Sequence, residues 1–341
     1  MSGRQRFLAA TRRAATDVTP VWFMRQAGRS LPEYRRLRER HSFIELATTP
    51  ELAVQATLMP VDRLGVDAAV LFADIMLPLG GMGVPFEIRP GLGPVIPDPV
   101  RSQDAVQRLR VAPAEVGTPY VLAALRLLRA ELGERAALLG FAGAPFTLAC
   151  YLIEGRPSRE FPRAKAMMYG EPALWRQLME KLTDVTIAYL KGQITAGADA
   201  VQLFDSWLGL LDPVAYGEFV LPYTRRIFRE IAPLAPAIHF STGTVGLLEQ
   251  IATSGCTTVS LDWRLPLDVA WARIGDGVGA QGNLDPALLL APVPVVEKAA
   301  HDVLRRAGGR PGHIFNLGHG ILPETSPETL AAVVRLVHGE A

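Results

Sequence analysis

Apolar residues along this chain gather into short runs separated by longer stretches of helical period. Eight runs stand out, at residues 21–24, 68–72, 137–141, 200–204, 237–240, 258–261, 277–280 and 313–317. Their length suits buried strands, and the stretches between most of them, such as 171–196 and 286–306, alternate as amphipathic helices do. Asp212-Pro213, Asp285-Pro286 and Ser326-Pro327 mark helix starts. An Asp or Ser side chain can accept the first free N–H groups, and proline already holds a helical φ. Eight strand-then-helix units predict a single-domain (β/α)8 barrel of the TIM type over residues 1–341. A doubly wound sheet is the alternative, and the lack of a GxGxxG fingerprint after the first run weighs against it.

Two stretches need separate reading. Residues 79–99 are rich in Gly and Pro, with short apolar pieces at 84–88 and 94–96. They predict a small excursion after strand two, in the form of a hairpin. Residues 136–153 are uncharged over a length that would span a bilayer. Gly140, Gly143 and Pro145 interrupt them, so they read as a strand, a turn and a helix start. The first 13 residues are charged and have no apolar core of a signal peptide. The expected compartment is the cytoplasm, with no membrane partner.

Charge changes the picture locally. The whole chain of 341 residues has a formal charge of +1, which argues against a nucleic-acid partner. The first 40 residues, however, hold ten arginines against three acids. A guanidinium fork pairs both oxygens of one carboxylate, so the cluster suits a polyanionic small molecule. A solvated basic helix is the plainer alternative. Two cysteines, Cys150 and Cys256, cannot build a disulfide framework.

A barrel demands its chemistry just past the C-terminal ends of the strands. Arg25 and Arg29 stand there, four apart around Gln26, Ala27 and Gly28, and can converge on one anion. Asp74 is a lone carboxylate in an apolar setting, fit either for function or for capping a helix. Tyr151 reads as a core tyrosine or a site residue. Ser206 follows Asp205 and could cap the next helix. His319 lies between Gly318 and Gly320, which let backbone approach a ligand closely. His239 and Cys256 suggest a zinc pattern, but Ser241 stands where a thiolate is needed, leaving too few ligands. No HExxH, GxSxG or Walker A motif is present.

Residues 20–34 (PVWFMRQAGRSLPEY) and 140–148 (GFAGAPFTL), the latter running on to Tyr151 and Glu154-Gly155, resemble the two signatures of the uroporphyrinogen decarboxylase family. Residues 204–207 (FDSW), 261–263 (LDW), 281–286 (QGNLDP) and 315–320 (FNLGHG) are also similar to that family. The resemblance implies a homodimeric, cofactor-free and metal-free barrel of haem-type tetrapyrrole synthesis. It implies conversion of uroporphyrinogen III to coproporphyrinogen III by loss of four CO2. It places Arg25, Gln26, Ala27, Gly28, Arg29, Asp74, Tyr151, Ser206 and His319 at the substrate, with Asp74 on the pyrrole nitrogens and Arg25 as the leading general acid. A proton relayed from solvent or from a substrate carboxyl is the alternative to Arg25. A cobalamin- or thiol-dependent methyltransferase on the same barrel, and a non-catalytic tetrapyrrole binder, are the competing readings.

The chemistry of such a substrate agrees with the residues. Eight carboxylates call for arginines at the mouth of a near-neutral protein. Decarboxylation needs an electron sink, and a pyrrole protonated at the ring carbon beside the acetate supplies one. A fixed carboxylate at the ring NH groups stabilises the resulting cation.

Overall fold

The computed structural model describes residues 1–89 and 91–339. Pro90, within the expected 79–99 excursion, and the last two residues of the expected 1–341 domain lie outside the described residues. The strands are β1 (Ala68–Val70), β2 (Glu87–Arg89), β3 (Gly93–Val95), β4 (Ala137–Gly143), β5 (Ala200–Asp205), β6 (Ala237–Ser241), β7 (Thr258–Ser260), β8 (Gly279–Gln281) and β9 (His313–Ile314). Seven of them form one curled parallel sheet in the order β1-β4-β5-β6-β7-β8-β9. β2 and β3 pair antiparallel beside it. Helices follow the sheet strands, among them Pro172–Thr195, Leu221–Ile231, Val293–Ala307 and Pro327–Val337. Six of the seven sheet strands are buried along their length, and β5 is buried but for the half-buried Phe204, as parallel strands covered on both faces must be.

The first predicted strand, 21–24, is not a regular strand. Only Val21 makes a ladder bridge, to Phe315. Pro20 has no N–H to give. The Phe23 N–H is taken by Gln26 Oε1 at 3.0 Å and the Met24 N–H by Asn316 Oδ1 at 3.1 Å. Even so, this segment bridges the two edges of the sheet. Phe315 N donates to Pro20 O (2.8 Å) and Trp22 N to Phe315 O (3.3 Å) on the β9 side, while Asp67 N donates to Val21 O (2.8 Å) on the β1 side. The sheet is thereby closed as a barrel through one short seam.

Asp67 locks that seam. It is 2 % exposed and lies just before β1. Its Oδ2 accepts the Val21 N–H at 2.8 Å, completing what a ladder bond would do. The same carboxylate receives Arg6 from the N-terminal helix Gly3–Thr11 at 2.6 Å and His338, at the end of Pro327–Val337, at 2.8 Å. The helix Gly3–Thr11 and the end of Pro327–Val337 are therefore both tied to the barrel's narrow closure. The interior is polar at one level: Trp22 Nε1 donates to Gln281 Oε1 (2.9 Å), and Gln281 Nε2 to Gln202 and Ser260 (2.9 Å each).

One helix differs from its predicted form. Asp285 caps a short 3-10 turn, Pro286–Leu290, and the α-helix begins only at Val293. Pro292 lacks the N–H that would carry one helix through.

Replacing Asp67 with Ala should cost about 3 kcal/mol or more, because it strands a buried N–H and part of a cation's pairing. Arg305→Gln, which loses only the exposed partner Asp302, should change stability by no more than about 0.5 kcal/mol. Denaturant unfolding of the two variants checks both values; equal losses would contradict the seam's role.

Candidate functional site

The arginine-bearing turn grows directly out of the seam. After Met24 the chain bends, with Gln26 N donating to Phe23 O. Gln26 is fully buried, and its Nε2 donates to Ala68 O at 2.9 Å. Both ends of this amide are thus bound to backbone, so the side chain holds the turn against β1. Arg25 sits at φ 62°, a left-handed conformation that costs a non-glycine residue about 1–2 kcal/mol. Gly28 is required, because a Cβ there would stand 2.8 Å from Arg25 O. Ala27 is half-buried, and Arg25 and Arg29 are exposed. Neither guanidinium has a hydrogen-bond or ion-pair partner among the described residues. The shape of the turn leaves two unpaired cations at the C-terminal end of the barrel.

Other predicted residues converge on Arg25. Its side chain lies across Gly320, where a Cβ would overlap Arg25 Cδ. His319 next door accepts the Gly320 N–H on Nδ1 at 2.7 Å, so the neutral ring carries its proton on Nε2. Burial, aided by the nearby Arg25 and Arg264 charges, holds His319 down to about 4, and the ring is neutral at pH 7. Asp74 accepts the Met76 N–H at 2.8 Å on one oxygen; the other has no partner among the described residues. The helix Leu77–Gly81 starts later, with Met76 as its cap. Asp74 is half-buried by surface area yet enclosed enough that burial raises its carboxyl above the ordinary value, with Arg25 pulling the other way. Tyr151 is buried on the helix Pro145–Glu154, and burial pushes its phenol up to about 12.

Between these groups lies an aromatic row. Phe141, Phe204 and Phe240 stand at or near the ends of β4, β5 and β6, with ring centroids 5.4 and 5.3 Å apart, and Phe240 meets the His319 ring at 5.8 Å. The row gives the charged rim an apolar floor.

Ser206, half-buried, follows β5. It caps no helix: Asp212 caps the next one, accepting Val214 N and Ala215 N. Its neighbour Asp205 is fully buried and accepts Thr147 Oγ1 at 2.8 Å. Thr147 lies one helical turn before Tyr151, so this bond ties the strand that carries Ser206 to the helix that carries Tyr151. Asp205 Oδ2 has no partner among the described residues. Burial lifts its carboxyl to about 7.

Arg25, Gln26, Asp74, Tyr151, Ser206 and His319 come from five separate segments at one end of the barrel; Arg25, Asp74, Tyr151 and His319 bear on one another there, and Ser206 follows β5 at the same end. Arg29 projects from the same turn as Arg25. Comparison with known proteins then fixes the lineage. The family model described as Uroporphyrinogen decarboxylase (URO-D) matches residues 2–340. A uroporphyrinogen decarboxylase of Sorangium cellulosum is 54% identical over 334 residues, covering 98% of this chain and 95% of its own. One from Thermus thermophilus is 51% identical over 331 residues, covering 97% and 96%.

The chain belongs to the uroporphyrinogen decarboxylase family.

A methyltransferase from Methanosarcina mazei shares the fold, with a TM-score of 0.80 at 22% identity and coverage of 99% and 98%. The two long signatures of the sequence, residues 20–34 and 140–148, fall on the seam turn and on the strand and start of the Tyr151 helix.

The broken zinc pattern falls elsewhere. His239 faces outward from β6, its ring 5.5 Å from Phe228 on the helix Leu221–Ile231. Both ring nitrogens lack partners among the described residues, and burial lowers the ring to about 3, which keeps it neutral. No group of three or more His, Cys, Asp or Glu residues is placed to hold a metal ion among the described residues.

Sequence reading missed the Phe141–Phe204–Phe240 floor, the Asp205–Thr147 bond and Arg264. The first had a signal, since four of the predicted strands end in Phe, three of them in this row. The second had none, because nothing local marks which hydroxyl a buried carboxyl will meet.

The raised Asp205 carboxyl makes stability depend on pH. Between its ordinary value of 3.8 and about 7, the folded chain keeps a proton that the unfolded chain has released. This residue's contribution therefore falls as pH rises through that window and is flat above it. Melting temperatures should show Asp205→Asn gaining on the wild type between pH of about 5 and about 8. A difference that does not change with pH would contradict the burial of a titrating carboxyl.

Proposed function

We propose that this protein decarboxylates uroporphyrinogen III to coproporphyrinogen III, converting four ring acetates to methyl groups. The observation that carries this reading is family membership over residues 2–340, with unpaired arginines, an apolar floor and a recessed carboxylate at one mouth. Each turnover replaces a carboxylate by a proton. A proton adds to the pyrrole carbon beside the acetate-bearing carbon and makes the ring cationic. CO2 leaves, and the electron pair of the broken C–C bond moves into the ring, giving an exocyclic methylene. The methylene takes a proton to become methyl, and the ring proton departs.

This chemistry sets the residue roles. Arg25 and Arg29 take substrate carboxylates, Arg25 being also the leading general acid. A guanidinium is a poor proton donor near neutral pH; a proton delivered by solvent or a substrate carboxyl past Arg25 satisfies the same step. Asp74 accepts the pyrrole NH groups through its unpartnered oxygen and holds negative charge where the ring turns positive. Gln26 supports the turn from inside, so any contact of Gln26, Ala27 or Gly28 with substrate is made by backbone. Tyr151 and Ser206 supply hydroxyls. His319, neutral with Nε2–H outward, donates to a carboxylate and positions it. The pyrrole is its own electron sink, so the proposal includes neither cofactor nor metal. It also includes a homodimer working in the cytoplasm; among the described residues no helix is long and apolar enough to cross a membrane.

Anaerobic incubation with uroporphyrinogen III, followed by counting product carboxylates, tests the reaction. Four lost carboxylates are expected, and an unchanged substrate refutes it. Activity should survive exhaustive chelation; loss restored by added zinc would contradict the cofactor-free route. Asp74→Asn keeps one acceptor but removes the charge. Its kcat should fall by about 10²–10³, with a smaller change in substrate affinity. A fully active variant would take Asp74 out of the mechanism. Light scattering should give twice the chain mass.

A further inference from the structure

Arg264 stands on the turn after β7, at the same end of the barrel as His319. Its side chain is 46% exposed, yet it is held by two contacts, an ion pair and a ring, and its backbone by a third. Nη1 donates to Asp262 Oδ2 at 2.6 Å, and its own backbone N–H donates to Asp262 Oδ1 at 3.0 Å. The guanidinium stacks on Trp263, its Cζ 4.5 Å from the ring centroid. Asp262 is itself fixed by the Gly243 N–H at 2.6 Å. Asn283 Nδ2 staples the turn by donating to Asp262 O and Leu265 O at 2.9 and 2.7 Å. One guanidinium N–H of five is spent on these contacts.

The turn that carries His319 rests on this platform. A Cβ at Gly318 would stand 2.9 Å from Trp263 Cε3, so the glycine lies directly on the indole that Arg264 covers from its own side. Arg25 crosses Gly320 on the far side of His319. The histidine therefore sits between two arginines, one unpaired and one anchored, and both charges bear on its ring.

We propose that Arg264 forms a further carboxylate subsite beside His319, gripping a propionate of the tetrapyrrole. The inference rests on the decarboxylase reading above. The pyrrole that reacts must bring its NH to the recessed Asp74, so its acetate is drawn into the mouth with it. A half-exposed fork at the rim meets side chains that do not react. Propionates survive all four decarboxylations, so one anchored fork can hold the ring through each cycle. Asp262 offsets the charge of Arg264, which leaves a directional grip in place of the long-range pull of an unpaired cation. Stacking and the Asp262 bond fix the fork before substrate arrives, so little side-chain freedom is lost on binding.

Full-length Arg264→Gln and Arg264→Lys test this by three readouts: KM and kcat for uroporphyrinogen III, and the inhibition constant of coproporphyrinogen III, which has propionates but no acetates. In Arg264→Gln, KM and the inhibition constant should both rise roughly tenfold, with kcat within about twofold. Arg264→Lys keeps the ion pair with Asp262 and so guards the turn; it should recover only part of the affinity. Unchanged KM in both folded variants would overturn the subsite. A raised KM with an unchanged product constant would overturn the propionate assignment, and so would a collapse of kcat alone. A wild-type protein that releases no CO2 would instead refute the decarboxylase reading.

Discussion

The barrel closes through a single residue's worth of ladder, and the candidate site is built on that closure. Residues 20–22 bridge β9 and β1, and Asp67 supplies with its side chain the acceptor that a second strand would supply with its backbone. The three-residue reach of this segment is what frees the next residues to turn. A full strand through residue 24 would carry Arg25 outward along the ladder. Because the Phe23 and Met24 N–H groups are satisfied by Gln26 and Asn316 side chains, the chain can bend at once without leaving buried donors unpaired. The left-handed backbone at Arg25 is held by the same bonds. Strain there is sustained by the buried glutamine and by the lock at Asp67, which Arg6 and His338 reinforce.

On that frame the site divides its labour by burial. In the proposed reaction the apolar row of Phe141, Phe204 and Phe240 would receive one face of the macrocycle, removing apolar surface from water. Arg25 and Arg29 are exposed at the rim, where hydration lets a guanidinium stay unpaired until, on the proposed reading, a substrate carboxylate meets it. Asp74 lies deeper, where burial already raises its carboxyl and Arg25 pulls it back toward ionisation. A carboxylate poised in this way gains most when a positive charge forms beside it. Asp205, by contrast, is buried without a cation, and its link to Thr147 joins the supports of Ser206 and Tyr151.

Much of this was legible in the sequence, for definable reasons. Seven of the eight apolar runs became sheet strands because parallel strands are buried on both faces and read as continuous hydrophobic segments. The eighth, at 21–24, had the same apolar look but a different fate. Its N–H groups went to side chains of residues 26 and 316, one of them nearly 300 positions away, and periodicity carries no such information. The arginine turn was visible because Gly28 and the spacing of Arg25 and Arg29 are local features. Arg264 was invisible: an arginine after a tryptophan means little until Gly318 is packed on that tryptophan. Asp285-Pro286 signalled a helix start correctly in kind, but Pro292 moved the helix itself to Val293.

The central claim is that seam closure positions the arginine turn for catalysis, and it separates cleanly from global stability. Hydrogen exchange at the Asp67 and Phe315 amides reports the two sides of the seam, because each donates across it. The decisive measurement is this exchange together with the decarboxylation rate in Gln26→Leu, which removes both amide bonds that hold the turn without adding charge. The expected result is faster exchange at these two amides, protection retained in β4 to β6, and a fall in kcat/KM of about tenfold or more for the lost positioning. Full turnover with an opened seam would contradict the account.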